Sequence, residues 1–259
     1  MLWIFWVKHN QYSYVDCSVR CDHLVKIILQ FDIILIQEVL DKTEKSLQSL
    51  LEAVNGGVTE AAAGDSQATP NFRLISSPRL GRAEPREQYA FFYRWSIRII
   101  TWLLVIIILI VRAERVSVVD SAVYPDEEKD TFMREPFVVK FSSEVIAGLD
   151  NFVIIAIHTQ PKVILVTAHH SVIILDCCFL QEAFKEIDSL ADVHKWAVGR
   201  MSSENVVIAG DLNAGGTFVR PADWAQCRLR GEGYSWLILD HLDTTATNTL
   251  AAYDRQEPP

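Results

Sequence analysis

Nothing in this sequence divides it. No Pro-, Gly- or Ser-rich stretch separates the 259 residues into segments and no internal repeat runs along them, which excludes a linked array and a solenoid. Cysteine is scarce: Cys17, Cys21, Cys177, Cys178 and Cys227 are odd in number and two are adjacent, so no disulfide framework is expected. Positive charge is also short, with 24 Lys and Arg against 33 Asp and Glu and a net charge of −9. That argues against a broad basic surface holding nucleic acid by counterion release. An acidic enzyme acting on nucleic acid must instead neutralise the scissile phosphate locally, with divalent cations and a few arginines. The N-terminus, MLWIFWVKHN, has neither a basic leader nor a small-residue cleavage site, so no signal peptide is expected. The most apolar run, Ile99–Val111 between Arg98 and Arg112, falls short of the roughly 20 residues that span a bilayer, and no stable membrane association is expected.

What the chain does have is material for a core: half of its residues are hydrophobic, enough for one sizeable α/β domain. Phe31–Gln37, Tyr89–Tyr93, Phe152–Ile157 and Asn205–Ala209 are short, nearly continuous apolar runs, the pattern of strands covered on both faces. Glu38, His158 and Asp211 stand just beyond the ends of three of them, and Glu87 just before the start of the fourth. A helix capped by Asp41 or Thr43 carries Leu47, Leu50, Leu51 and Val54 on one face and is expected to end at Gly56. A second carries Phe184, Ile187, Leu190 and Ala191. Both read as packing helices.

The residues at the strand ends match the needs of phosphodiester hydrolysis. Hard oxygen donors such as Glu38 and Asp211 suit Mg²⁺ or Ca²⁺, while His158 suits proton transfer near neutral pH and Glu87 can orient it. Asn213 places an amide on the same tight turn as Asp211.

The strings IQEV (36–39), REQYAFFYR (86–94), TFMREPFVVKF (131–141), IHTQP (157–161), GDLNAG (210–215), DTTATNT (243–249) and AYDR (252–255) follow the order found in the deoxyribonuclease I family. GDLNAG alone is shared across the wider endonuclease/exonuclease/phosphatase superfamily; all seven together are specific. The resemblance covers about Leu24 to Arg255 and implies an α/β fold, a four-layered α/β/β/α sandwich of two mixed sheets flanked by helices. It implies a metal-dependent endonuclease that cuts DNA, with Mg²⁺ and Ca²⁺ as cofactors, DNA as partner and a monomeric state. By the same resemblance Glu87 and His158 are an acid/base pair and Asp254 the partner of a second catalytic histidine. Glu38 and Asp211 are metal ligands, Arg134, Asn213 and Tyr253 meet phosphate or DNA, and Asp243, Thr245 and Thr247 form a structural Ca²⁺ loop. Members of the family are mostly found in the secretory pathway, outside the cell or in the nucleus.

The chain departs from the family pattern in ways that bear on activity. No Ser-Asp-His string follows AYDR, which removes a metal ligand and the second histidine; His241 lies outside any matching motif and does not replace it. The first family strand is not recognisable in residues 1–23. Leu40, Ala83 and Pro85 stand where side chains that grip DNA are expected, and Gly216 and Ala251 where the family has a disulfide. The expected organisation is therefore an unmatched segment 1–23 and a single domain 24–259, truncated at both ends. Apolar inserts fall at about 95–112 and 162–181, and deleting them restores the family pattern. The second contains His169, His170, Asp176, Cys177 and Cys178, which lack the regular spacing of a zinc site. Activity as written is expected to be weak or absent. The alternatives are a catalytically dead product and another phosphodiesterase or phosphatase of the superfamily.

Overall fold

A computed structural model describes residues 2–6, 17–61, 70–96, 116–144, 149–160, 167–168, 171–172, 182–215, 218–244 and 254–257. Two compact units divide the chain: one formed by Met1–Leu80, Pro85–Val119 and Phe141–Asn151, the other by Gly81–Glu84, Asp120–Lys140 and Phe152–Pro259.

The first unit is built on a four-stranded sheet in the order β1-β2-β4-β3, formed by β1 (Leu2–Trp6), β2 (Ile33–Val39), β3 (Pro70–Ser76) and β4 (Gln88–Ser96). The N-terminal strand, invisible in the sequence pattern, is present: β1 pairs in parallel with β2, Leu2 opposite Ile33. Two helices, α1 (Cys17–Ile28) and α2 (Lys45–Ala61), belong to this unit. Ile34 and Ile36 of β2 and Ala90 and Phe92 of β4 share a buried cluster with Ile28, Leu47 and Val54, as period-2 alternation requires. Phe91 and Tyr93 alternate with these and each meets Phe141 edge to face, at 5.6 and 6.0 Å between ring centroids.

Helix α2 keeps the expected apolar face but does not stop at Gly56; it continues to Ala61. Gly56 has open space around its Cα, so nothing forces the chain out of the helix there. The start is as expected. Asp41 accepts hydrogen bonds from the Ser46 and Thr43 backbone N–H groups and from the Thr43 hydroxyl, at 2.7, 2.8 and 2.7 Å.

The second unit is built on a five-stranded sheet in the order β11-β10-β7-β6-β5, from β5 (Ser117–Val123), β6 (Phe137–Ser142), β7 (Asn151–His158), β10 (Val206–Asp211) and β11 (Asp254–Glu257). Its one α-helix among the described residues, α3 (Glu182–Met201), connects β7 to the parallel strand β10. Val153, Ile155 and Ile157 of β7 and Val206 and Ile208 of β10 pack with Ile187, Leu190, Val193 and Ala197 of α3. Each unit thus supplies a sheet layer and a helix layer, the four layers of the expected α/β/β/α class.

Most of the two apolar inserts lies outside the described residues, including Ile99–Val111. Trp95 and Ser96 continue β4, and β8 (Thr167–Ala168) and β9 (Ser171–Val172) form a small two-stranded sheet of their own. No described helix is long and apolar enough to cross a membrane.

The Asp41 cap makes a stability prediction. Asp41→Ala should destabilise the protein by about 0.5–2 kcal/mol, with Tm falling by about 2–4 °C for each kcal/mol. The Ser46 and Thr43 donors hold the Asp41 carboxyl well below its ordinary value of 3.8. A depressed carboxylate stabilises the fold above its unfolded value and loses that contribution as pH falls through the folded one. Thermal melts of the two proteins should therefore differ steadily above about pH 4 and converge only in strong acid.

Candidate active site

In the second unit three sequence-predicted residues come together at the C-terminal ends of neighbouring parallel strands. His158 is the last residue of β7 and Asp211 the last of β10, and the register sets them directly opposite each other. Their side chains therefore leave the sheet on one face, with His158 Nε2 4.0 Å from Asp211 Oδ2. Both residues are buried, at 4 % and 1 % exposure. An imidazole beside a carboxylate in such surroundings can be protonated without leaving an uncompensated charge.

The loop after β10 is wound tightly around this pair. Asp211 Oδ1 accepts from the Asn213 backbone N–H at 2.8 Å, an Asx turn that leaves Asn213 in the left-handed region at φ 45°. Asn213 Nδ2 donates to the Thr159 carbonyl at 3.0 Å. Thr159 donates in return, through its N–H to Asp211 O at 2.9 Å and its hydroxyl to Leu212 O at 2.6 Å. Asn213 is therefore built into the site as a brace between the two strand ends, with Thr159 its counterpart just past the end of β7.

Asp254 opens β11, which pairs antiparallel with β10 so that Asp254 lies opposite Asp211. The backbone thus sets His158, Asp211 and Asp254 in one row across three strands. Tyr253, Thr245 and Thr247 lie outside the described residues. Asp243 is exposed, beyond the turn closed by Leu242 N–H on Leu239 O.

In the first unit Glu38 and Glu87 stand at one end of the sheet. Glu38 is not beyond β2 but within it, its last residue but one. The β2–β4 register slips between Ile36 and Val39, a bulge that carries Glu38 to φ 56°. A glutamate in this region is strained, and such strain collects where a side chain must be aimed. Val39 pairs with Gln88, so Glu87 sits on the adjoining strand end, bridged to Leu80 and only 8 % exposed.

Sequence reading missed Glu186. It lies on the buried face of α3, four residues before Leu190, and is 1 % exposed. Its Oε1 accepts from Met133 N–H at 3.1 Å and its Oε2 from Gln160 N–H at 3.3 Å. Burial pushes its pKa up to about 8, against the two backbone donors and the nearby Arg134 and Arg82 cations, which favour the charged form. The available signal was a charge inside an apolar stripe, at helical spacing from Leu190 and Val193.

The donor chemistry suits a hard divalent cation. Asp211 in the second unit and Glu38 in the first each offer carboxylate oxygens, the donor class that hard divalent cations select. Among the described residues no cluster of three or more His, Cys, Asp or Glu side chains forms a complete cage.

The chain is similar to known proteins. Residues 15–256 match the Endonuclease/Exonuclease/phosphatase family. The chain is 34 % identical to deoxyribonuclease-1-like 2 of Homo sapiens, over 95 % of this chain and 74 % of that protein. It is 33 % identical to deoxyribonuclease-1 of Gallus gallus, over 90 % and 67 %. Among solved structures the human Nocturnin catalytic domain is similar in fold, with a TM-score of 0.52 at 12 % identity, covering 93 % of this chain and 74 % of that one.

Glu186 gives the second unit a pH signature. A folded carboxyl that holds its proton to about 8, against an ordinary value of 4.5, binds a proton that the unfolded chain has released. Its contribution to stability is fully present below about 4.5 and declines as pH rises through 8. Glu186→Gln should remove this decline, so chemical denaturation midpoints of the variant should fall less than those of the wild type between pH 5 and 8. Parallel slopes would contradict the raised value.

Proposed function

The chain belongs to the deoxyribonuclease I branch of the endonuclease/exonuclease/phosphatase family, and from that premise we propose that it is a divalent-metal-dependent endonuclease hydrolysing DNA phosphodiester bonds. The observation that carries the reading is the opposition of His158 and Asp211 at two parallel strand ends, braced by Asn213 and Thr159. His158 is the group that takes a proton from the attacking water. Glu87 is its acid/base partner by family, and Asn213 fixes the turn on which the phosphate is received. Arg134 and Tyr253 are the DNA-contacting residues, the guanidinium fork being suited to a phosphate.

A divalent cation, when bound, supplies charge neutralisation on the phosphoryl oxygens. Glu38 and Asp211 are the carboxylates that would hold Mg²⁺, and Asp243, Thr245 and Thr247 the oxygens that would hold a structural Ca²⁺. Asp254 lies in register with Asp211 and His158, the row in which a second histidine is expected to act by family.

Leu40, Ala83 and Pro85 stand where the family reading expects side chains that grip DNA, and the two inserts interrupt its pattern, so cleavage is expected to be slow. General acid–base assistance of the kind assigned to His158 is typically worth about 10²–10⁴-fold. Supercoiled plasmid with Mg²⁺ and Ca²⁺ should be nicked weakly or not at all, and His158→Ala should abolish any residual cleavage. Adding a Ser-Asp-His-bearing C-terminal segment and deleting the two inserts should restore it. Robust nicking indifferent to His158→Ala would refute the assignment of the base.

A further inference from the structure

Glu186 has no part in the chemistry just described, yet its carboxyl bridges two segments that do. One bond goes to Met133, the neighbour of Arg134; the other goes to Gln160, two residues past His158. The Met133 turn is held again from its other side. Met133 O accepts from Arg82 N–H at 3.3 Å, and Arg82 forms an ion pair with Asp130 at 2.9 Å. The Gln160 segment is likewise held by Thr159 against the end of β10. Between the two segments Glu186 projects from a rigid helix whose same face carries Ile187, Leu190 and Val193 in the core. Side chains placed by a helix are positioned more sharply than those placed by loops.

A buried carboxyl in an apolar stripe is destabilising to the helix packing unless its oxygens are used. Here both are, and both on backbone N–H groups of loops rather than on side chains. We infer that Glu186 is a positioning residue that latches the Arg134-bearing turn to the strand end bearing His158, and so fixes the DNA-gripping arginine relative to the catalytic histidine. The inference rests on the reading of Arg134 as a DNA contact and of His158 as the base. Arg82 and Arg134 are the charged groups that face the carboxyl.

The test uses the full chain and does not depend on turnover. Amide hydrogen exchange at Met133 and Gln160, and anisotropy of a short fluorescein-labelled DNA duplex, are measured for wild type, Glu186→Gln, Arg134→Ala and the double variant. Glu186→Gln keeps the volume and one acceptor but sets an amide NH₂ against a backbone donor. The latch requires exchange at both amides to quicken by about tenfold or more and DNA affinity to drop by about three- to tenfold. It also requires the double variant to bind no more weakly than Arg134→Ala alone. Measured at pH 9, where the carboxyl is ionised, simple removal of its negative charge would strengthen DNA binding instead, so the direction separates positioning from bulk electrostatics. Unchanged exchange and affinity in Glu186→Gln, with Arg134→Ala weakened, overturn the latch and leave the DNA reading standing. If Arg134→Ala binds DNA as the wild type does, the DNA reading falls and with it the gripping role. The tie between the two segments is then kept by quickened exchange at the two amides and lost if exchange is unchanged.

Discussion

The second unit depends on the parallel register of β7 and β10. Side chains alternate along a strand, so a slip of one residue would turn His158 into the α3 face and set Ile157 in its place opposite Asp211. In this register Val153, Ile155 and Ile157 meet α3 and His158 lies on the other side. Parallel strands also end at the same edge, so the loops after them emerge together. Thr159 and Asn213 can brace one another only because of this shared edge. Much of the candidate chemistry of this unit is a by-product of how the core packs.

That dependence explains what was legible in the sequence. Continuous apolar runs gave β2, β4, β7 and β10 to within a few residues, because strands buried on both faces carry little polar interruption. The ionisable residues at their ends were visible for the same reason. β1 was missed because LWIFW is brief, lies at the terminus and has no turn signal before it. The end of α2 was misjudged because glycine permits a helix to stop without obliging it to. Glu186 was missed because pattern reading treats a charge in an apolar stripe as an interruption. Its two partners are backbone N–H groups distant in sequence, which no spacing rule can reveal.

Electrostatics divides the molecule in an uneven way. Surface ion pairs such as Arg228 with Asp188 and Asp192, or Arg200 with Asp120, tie loops and strands to α3. Exposed pairs of this kind contribute little apiece, though the double fork of Arg228 is favourable in geometry. The buried groups matter more. Asp211, Glu186 and Glu87 are acids withdrawn from water in a chain that is already acidic. Each stands apart from the others in its own surroundings, and a buried carboxylate is most easily kept ionised beside a positive charge.

The left-handed backbone at Glu38 and Asn213 carries a consequence for how the protein can change. Glycine tolerates that conformation without penalty, asparagine tolerates it moderately, and glutamate resists it by on the order of 1 kcal/mol. A selection for heat resistance alone would therefore reward Glu38→Gly, and in doing so would erase a carboxylate while improving the scaffold. Under relaxed selection on activity the same substitution becomes an easy step downhill. The glutamate thus stands where its own backbone penalises it, and the stability gained with glycine measures what keeping that carboxylate costs the fold.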